Sequence, residues 1–125
     1  MTMPHERTRS LGWGAELLDT LARDLEVPEA TRVLATSLRQ THPDAVMLRS
    51  HLAGGTNGLP APWISAIQHA FKLFNASWTG NHGSPSTRHE LRAVLRHYPD
   101  PATTALIGDD RVEIFGWLLP EDHYK

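Results

Sequence analysis

Proline placement is the feature of this sequence that most constrains its fold. Five prolines stand just ahead of segments whose apolar residues recur at helical spacing, namely Pro4, Pro28, Pro62, Pro85 and Pro101. A helix tolerates proline in its first turn, because the missing backbone N–H has no intrahelical partner there. The pattern therefore predicts an all-α fold, a compact bundle of amphipathic helices.

The same spacing predicts where individual helices begin and end. The first helix is expected from about Pro4 to Leu25, and the second follows Pro28 and stops before Pro43, since the residue before a proline avoids helical geometry. On the second helix, four residues are expected to face inward: Val33, Leu34, Ser37 and Leu38. A short helix over about 44–52 is expected to present Val46, Met47 and Leu48.

The C-terminal segment allows two interpretations. Residues 111–115 alternate like a strand and could pair with residues 103–107 to form a short hairpin. A short helix from Pro101 to about Ile107 is the other interpretation, and it is favoured because an isolated hairpin is marginally stable. The tail beyond that helix is expected to be irregular or a short extended segment.

The two halves of the sequence can be aligned with each other without gaps. In this alignment Thr31-Arg32 matches Thr87-Arg88, Pro43-Asp44 matches Pro99-Asp100, Leu38 matches Val94, and His42 matches Tyr98. The alignment predicts an internal repeat within a single helical domain, residues 1–125, made of two duplicated helical hairpins with short extra helices. The halves are 1–53 and 61–108, separated by a stretch rich in Gly and Pro.

Composition excludes several classes of protein. The chain has 125 residues, which suits one domain, and no cysteine, which excludes disulfides, thiolate zinc sites and cysteine nucleophiles. A formal net charge of −2 is unlike that of a dedicated nucleic-acid binder, which is usually strongly basic. No apolar run is long enough to cross a bilayer, and residues 1–10 lack the apolar core of a signal peptide. We expect a cytoplasmic protein with no membrane partner.

Three arginines form the most specific polar pattern. Arg88, Arg92 and Arg96 are spaced at i, i+4 and i+8, so on a helix they form one stripe, which we call the arginine stripe. Guanidinium groups in such an arrangement suit a carboxylate-rich partner. With the neighbouring Tyr98, the stripe is expected to bind another protein with an acidic surface. The alternatives are a solvated face, or pairing with acids of the same chain: Glu113, Glu121 and Asp122.

Histidine is frequent, with eight residues, but its spacing does not indicate a metal site. Helical metal ligands usually occur four apart, whereas His89 and His97 are eight apart, and His82 lies in a predicted loop. These three histidines are therefore only weak candidate ligands. No metal and no other cofactor is expected. The sequence also lacks a nucleophile elbow, a phosphate-binding loop and a dinucleotide-binding fingerprint, so no catalytic residue is assigned.

Two segments resemble a family of small uncharacterised bacterial proteins. One is Met3-Pro4-His5-Glu6-Arg7-Thr8-Arg9-Ser10-Leu11, followed by Trp13 and Glu16-Leu17-Leu18. The other is the element Leu95-Arg96-His97-Tyr98-Pro99. Together they cover about a third of the chain, and no activity, cofactor or binding residue comes with the family. The resemblance implies a bacterial cytosolic protein.

The leading hypothesis is a non-catalytic helical domain that binds another protein, in the manner of an adaptor, regulator or inhibitor. It depends on the arginine stripe and on the absence of any catalytic motif. Two alternatives stay open: a small enzyme or metal-binding protein using His, Glu and Asp, which a polar pocket containing His82, His89 or His97 would favour, and a weak nucleic-acid binder. The sequence leaves the oligomeric state open.

Overall fold

The computed structural model describes residues 2–54, 58–109, 114 and 117–119. All regular secondary structure within these residues is helical. The described part contains six helices: α1 (Pro4–Arg23), α2 (Glu29–Arg39), α3 (Ala45–Ala53), α4 (Ala61–Thr79), α5 (Pro85–Leu95) and α6 (Pro101–Ile107). The helices pack into one compact bundle, as the proline and apolar patterns predicted.

Helix starts follow the predicted chemistry closely. Proline occupies the first turn of α1, α4, α5 and α6, and Pro28 immediately precedes α2. Side-chain caps complete three of the starts, because an oxygen of Asp44, Ser84 or Asp100 accepts a hydrogen bond from a backbone N–H of the first turn. Such caps satisfy backbone donors that have no intrahelical partner, and each is worth about 1 kcal/mol.

The two long helices, α1 and α4, carry most of the core. Their fully buried side chains include Leu11, Leu17, Leu18, Leu21, Ile67 and Phe74. Two glycines allow α1 to approach its neighbours closely. A Cβ on Gly12 would lie 3.2 Å from Cβ of Ala45, and one on Gly14 would lie 2.7 Å from a ring carbon of Tyr98. Close packing therefore explains two residues that a helix interior normally disfavours.

The inward face of α2 differs from the prediction. Val33 and Leu34 are 62% and 53% exposed, Ser37 is also exposed, and Leu38 is only partly buried. Ala35 is the buried residue of this helix. The face that contacts α1 and α4 is a narrow stripe through Ala35 and Leu38, and Val33 and Leu34 lie outside it.

The short helix α3 buries only one of the three apolar residues that its sequence presents. Leu48 is buried, whereas Val46 is 69% exposed and Met47 is 37% exposed. Leu52 is the second buried residue of this helix. The two buried residues are one turn apart, so α3 contacts α1 through one narrow face.

Several helix ends fall at equivalent positions of the two aligned halves. Helix α5 begins and ends where the alignment places the ends of α2, α6 begins where it places the start of α3, and α4 ends where it places the end of α1. Contacts between helices also form equivalent pairs: α1–α2 with α4–α5, α1–α3 with α4–α6, and α1–α5 with α2–α4. These contacts fit a pseudo-twofold arrangement of two hairpins. Descent from an internal duplication stays a prediction.

The favoured interpretation of the C-terminal segment is confirmed at α6, so residues 103–107 are helical and cannot form one strand of a hairpin. The other predicted strand falls almost entirely on residues outside the described part of the chain. Two described tail residues, Ile114 and Leu118, are buried in the core. The start of α1 holds the tail, because Thr8 Oγ1 accepts a hydrogen bond of 3.0 Å from the backbone N–H of Leu119.

Candidate functional site

The first member of the arginine stripe is anchored at the joint between α4 and α5. The guanidinium carbon of Arg88 lies 5.0 Å from the centroid of the Trp78 ring, which is a cation–π contact. Its Nη1 atom is shielded from solvent and has no hydrogen-bond partner among the described residues. Arg88 is therefore held in place by packing, while its charge is not neutralised by a nearby carboxylate of the described chain.

The other two members are exposed. Arg92 lies in the last turn of α5 and Arg96 is its C-terminal cap residue, where a positive charge interacts favourably with the helix dipole. Within the described residues, no ion pair involves Arg92 or Arg96. The intramolecular acids considered from the sequence, Glu113, Glu121 and Asp122, lie outside the described part of the chain.

Tyr98 is not part of an exposed contact face, which corrects its assignment to the binding surface. Its side chain is only 5% exposed and packs in the core, in edge contact with Phe74 at 5.2 Å between ring centroids. The chain turns after α5, so the ring points inward although Arg96, two residues earlier, points to solvent. Burial also raises the pKa of the Tyr98 hydroxyl well above its usual value.

A buried hydrogen-bond chain joins the two halves through Tyr98. Its hydroxyl lies 2.7 Å from Nε2 of His42, and it lies 3.3 Å from the carbonyl oxygen of Ile67. The Nδ1 atom of His42 lies 2.8 Å from the carbonyl oxygen of Pro43. A carbonyl can only accept, so Nδ1 carries the proton, and Nε2 of the neutral ring accepts from Tyr98.

Burial lowers the pKa of His42 to about 4, with the nearby charge of Arg39 acting in the same direction. The buried ring is therefore neutral at pH 7. This buried pair was not predicted as a site from the sequence. The signal that could have found it is the alignment itself, because His42 and Tyr98 occupy equivalent positions of the two halves.

The three weak metal candidates lie in different surroundings. His82 lies in the turn between α4 and α5, with its ring close to Gly80. His97 lies after α5, where Nε2 is 3.2 Å from a carboxylate oxygen of Glu6 and Nδ1 is 3.1 Å from Oγ1 of Thr2. His89 lies on the exposed side of α5. In the part of the chain that the structure describes, no group of three or more His, Asp or Glu side chains could hold a metal ion.

His89 lines a cavity between α1 and α5 with a volume of about 320 Å³. The lining residues are Trp13, Glu16, Ser86, His89, Glu90, Ala93 and Val94. Trp13 is 42% exposed, and the guanidinium carbon of Arg9 lies 5.8 Å from the centroid of its ring. Oε1 of Glu90 accepts a hydrogen bond of 3.3 Å from the Thr20 hydroxyl. The cavity therefore combines polar and apolar walls, and it contains His89, one of the three histidines whose presence in a polar pocket would favour the enzyme alternative.

Comparison of the chain with models of known families, with curated proteins and with solved structures gave no match. The resemblance of residues 3–11 and 95–99 to a bacterial family therefore stays a prediction. Among the described residues, no helix has the length and apolar character needed to span a membrane.

Proposed function

We propose that this protein is a non-catalytic binding domain that docks an acidic surface of another protein on the arginine stripe, defined by Arg88, Arg92 and Arg96. The observation that carries the proposal is the exposure of Arg92 and Arg96 without an ion pair among the described residues. Tyr98 lies outside the contact face because it is buried.

The stripe has the physical properties of a docking surface. Like charges four residues apart on a helix repel by a few tenths of a kcal/mol per pair, and an anionic partner would remove this cost. Arg88 is fixed by its stack on Trp78, so it loses less side-chain freedom on binding than an extended surface arginine would lose. The planar guanidinium group of Arg88 suits bidentate contact with a carboxylate.

The alternative functions have weaker support in the geometry. An enzyme at the α1–α5 cavity would use His89, yet among the described residues His89 forms no hydrogen bond to Glu16 or Glu90 that would make an acid–base pair. A nucleic-acid binder would need Arg7, Arg9 and Arg32 to extend the stripe into one continuous basic surface. Arg7 instead donates to the carbonyl oxygen of Trp117 at 2.8 Å, and Arg32 donates to that of Val27 at 3.0 Å.

The test is an affinity pull-down from native lysate with three immobilised proteins: wild type, Arg92→Glu and Arg49→Glu. The last is the control, because it reverses the charge of an exposed arginine on α3. We expect a partner that wild type and Arg49→Glu capture alike, with at least about tenfold weaker affinity for Arg92→Glu. The partner's contact surface is expected to be acidic. Equal affinity for all three proteins would overturn the proposal, as would loss of binding in both variants.

A further inference from the structure

A separate feature is the open cavity between α1 and α5, whose lining includes His89, one helical turn from the stripe residue Arg92. It is open to solvent on one side, and its volume of about 320 Å³ lies at the lower end of the range of small-molecule pockets, roughly 300 Å³. None of the three stripe arginines lines it. We propose that this cavity binds an aliphatic organic cation, an alkylammonium or alkylguanidinium group, and this activity goes beyond the proposed docking function.

The charge of the lining favours a cation. Two carboxylates, those of Glu16 and Glu90, lie among the described lining residues, and that lining contains no lysine or arginine. Ser86 and His89 add polar groups that can accept hydrogen bonds, and Ala93 and Val94 supply an apolar floor for an alkyl chain. A ligand with a cationic head and an aliphatic stem matches this combination of groups.

The aromatic wall supports the same chemistry. Trp13 lines the cavity and is a large apolar side chain that is 42% exposed. Its ring already forms a cation–π contact, because the guanidinium carbon of Arg9 lies 5.8 Å from the ring centroid. An aromatic ring has two faces, and tryptophan is the side chain that attracts cations most strongly.

One carboxylate of the cavity is incompletely satisfied. Oε1 of Glu90 accepts from Thr20, but Oε2 is shielded from solvent and has no hydrogen-bond partner among the described residues. A buried acceptor without a donor is costly, so such atoms in folded proteins usually mark a missing partner. The terminal torsion of glutamate is soft, and a small rotation would present this oxygen to a donor in the cavity.

The experiment uses n-butylguanidinium and its neutral isostere n-butylurea, each titrated into the full chain. The readout is the chemical shift of the Trp13 indole N–H, assigned from the spectrum of Trp13→Phe. We expect a saturable shift with butylguanidinium at millimolar concentration and a much weaker response to butylurea. Glu16→Gln and Glu90→Gln should each weaken binding by about two- to fivefold, since each removes one of the two carboxylates that would pair with the cation.

The control variant is Glu29→Gln, which removes the same charge from an exposed position on α2 and should bind like wild type. Melting curves establish that each variant is folded; Glu90→Gln keeps an oxygen that can accept from Thr20. Equal shifts with butylguanidinium and butylurea would overturn the proposal. So would wild-type affinity in both Glu16→Gln and Glu90→Gln, or the absence of a saturable shift.

The source of the cation is settled by one further titration, with the blocked peptide acetyl-Gly-Gly-Arg-Gly-Gly-amide. Binding that depends on Glu16 and is at least tenfold tighter than that of butylguanidinium identifies the side chain of a protein ligand as the source. Binding that is equal or weaker identifies a small free amine or guanidine. In both cases the cationic group occupies the same cavity.

Discussion

The buried His42 is expected to make the stability of this protein depend on pH between about 4 and 6.5. Its pKa is lowered to about 4 in the folded chain, against an ordinary value near 6.5 when the chain is unfolded. Between these two values the unfolded state binds a proton that the folded state excludes. The stabilising effect of the neutral ring is therefore complete above pH 6.5 and is lost as the pH falls towards 4.

The size of the effect follows from the two pKa values. One pKa unit corresponds to about 1.36 kcal/mol, so the titration of His42 lowers the free energy of unfolding by about 3 kcal/mol between pH 6.5 and pH 4. A domain of this size is typically stable by about 5–15 kcal/mol, so the loss is readily measured. The cause is local, since the ring is enclosed between Tyr98 and the carbonyl of Pro43.

Urea denaturation of wild type and His42→Gln at several pH values between 4 and 7 tests this prediction. Glutamine cannot titrate, so the wild type should lose about 3 kcal/mol more than the variant over this range. Comparing changes with pH removes the constant cost of the substitution and the titration of carboxylates common to both proteins. His69→Gln, at an exposed position on α4, should keep the wild-type profile. A difference below about 0.5 kcal/mol between wild type and His42→Gln would refute the reasoning.

Three further predictions concern the fold. Leu18→Ala should lower the free energy of unfolding by about 2–5 kcal/mol in urea melts, because Leu18 is fully buried. Phe71 is only partly buried, so Phe71→Ala should cost less, and equal losses would contradict the assigned core. Asp24→Asn should destabilise the chain by about 1–3 kcal/mol, because Oδ2 of Asp24 accepts from Ser84 N–H and the Thr87 hydroxyl at 2.9 and 2.6 Å; an unchanged melting temperature would rule out this link. Gly14→Ala should destabilise despite the better helix propensity of alanine, since its Cβ would clash with Tyr98; a higher melting temperature would show that the ring moves aside.

The helices could be predicted from sequence because their starts depend on local chemistry. A proline or a capping side chain acts within one turn, so Pro85 and Ser84 mark the start of α5 whatever it packs against. The burial of each face could not be predicted as well. Val33 and Leu34 are apolar, but the width of the α2 contact with α1 and α4 decides which residues are buried.

The candidate site, too, could be predicted from the sequence only in part. Helical periodicity places Arg88, Arg92 and Arg96 on one stripe, whereas the inward turn of Tyr98 depends on the chain path after α5. The α1–α5 cavity exists only where two distant helices pack, so the spacing of His89 and Glu90 gave no sign of it. Asp24 shows the same limit, because its partner Thr87 lies 63 residues away in sequence.

The most direct test of the proposed docking function is nuclear magnetic resonance of arginine side chains with the captured partner added. The Nε–Hε signals of Arg88, Arg92 and Arg96 report on the stripe, and that of the exposed Arg49 on α3 serves as the control. The account predicts that the stripe signals shift on binding while that of Arg49 stays in place. Shifts at Arg49 with unchanged signals from Arg92 and Arg96 would contradict it.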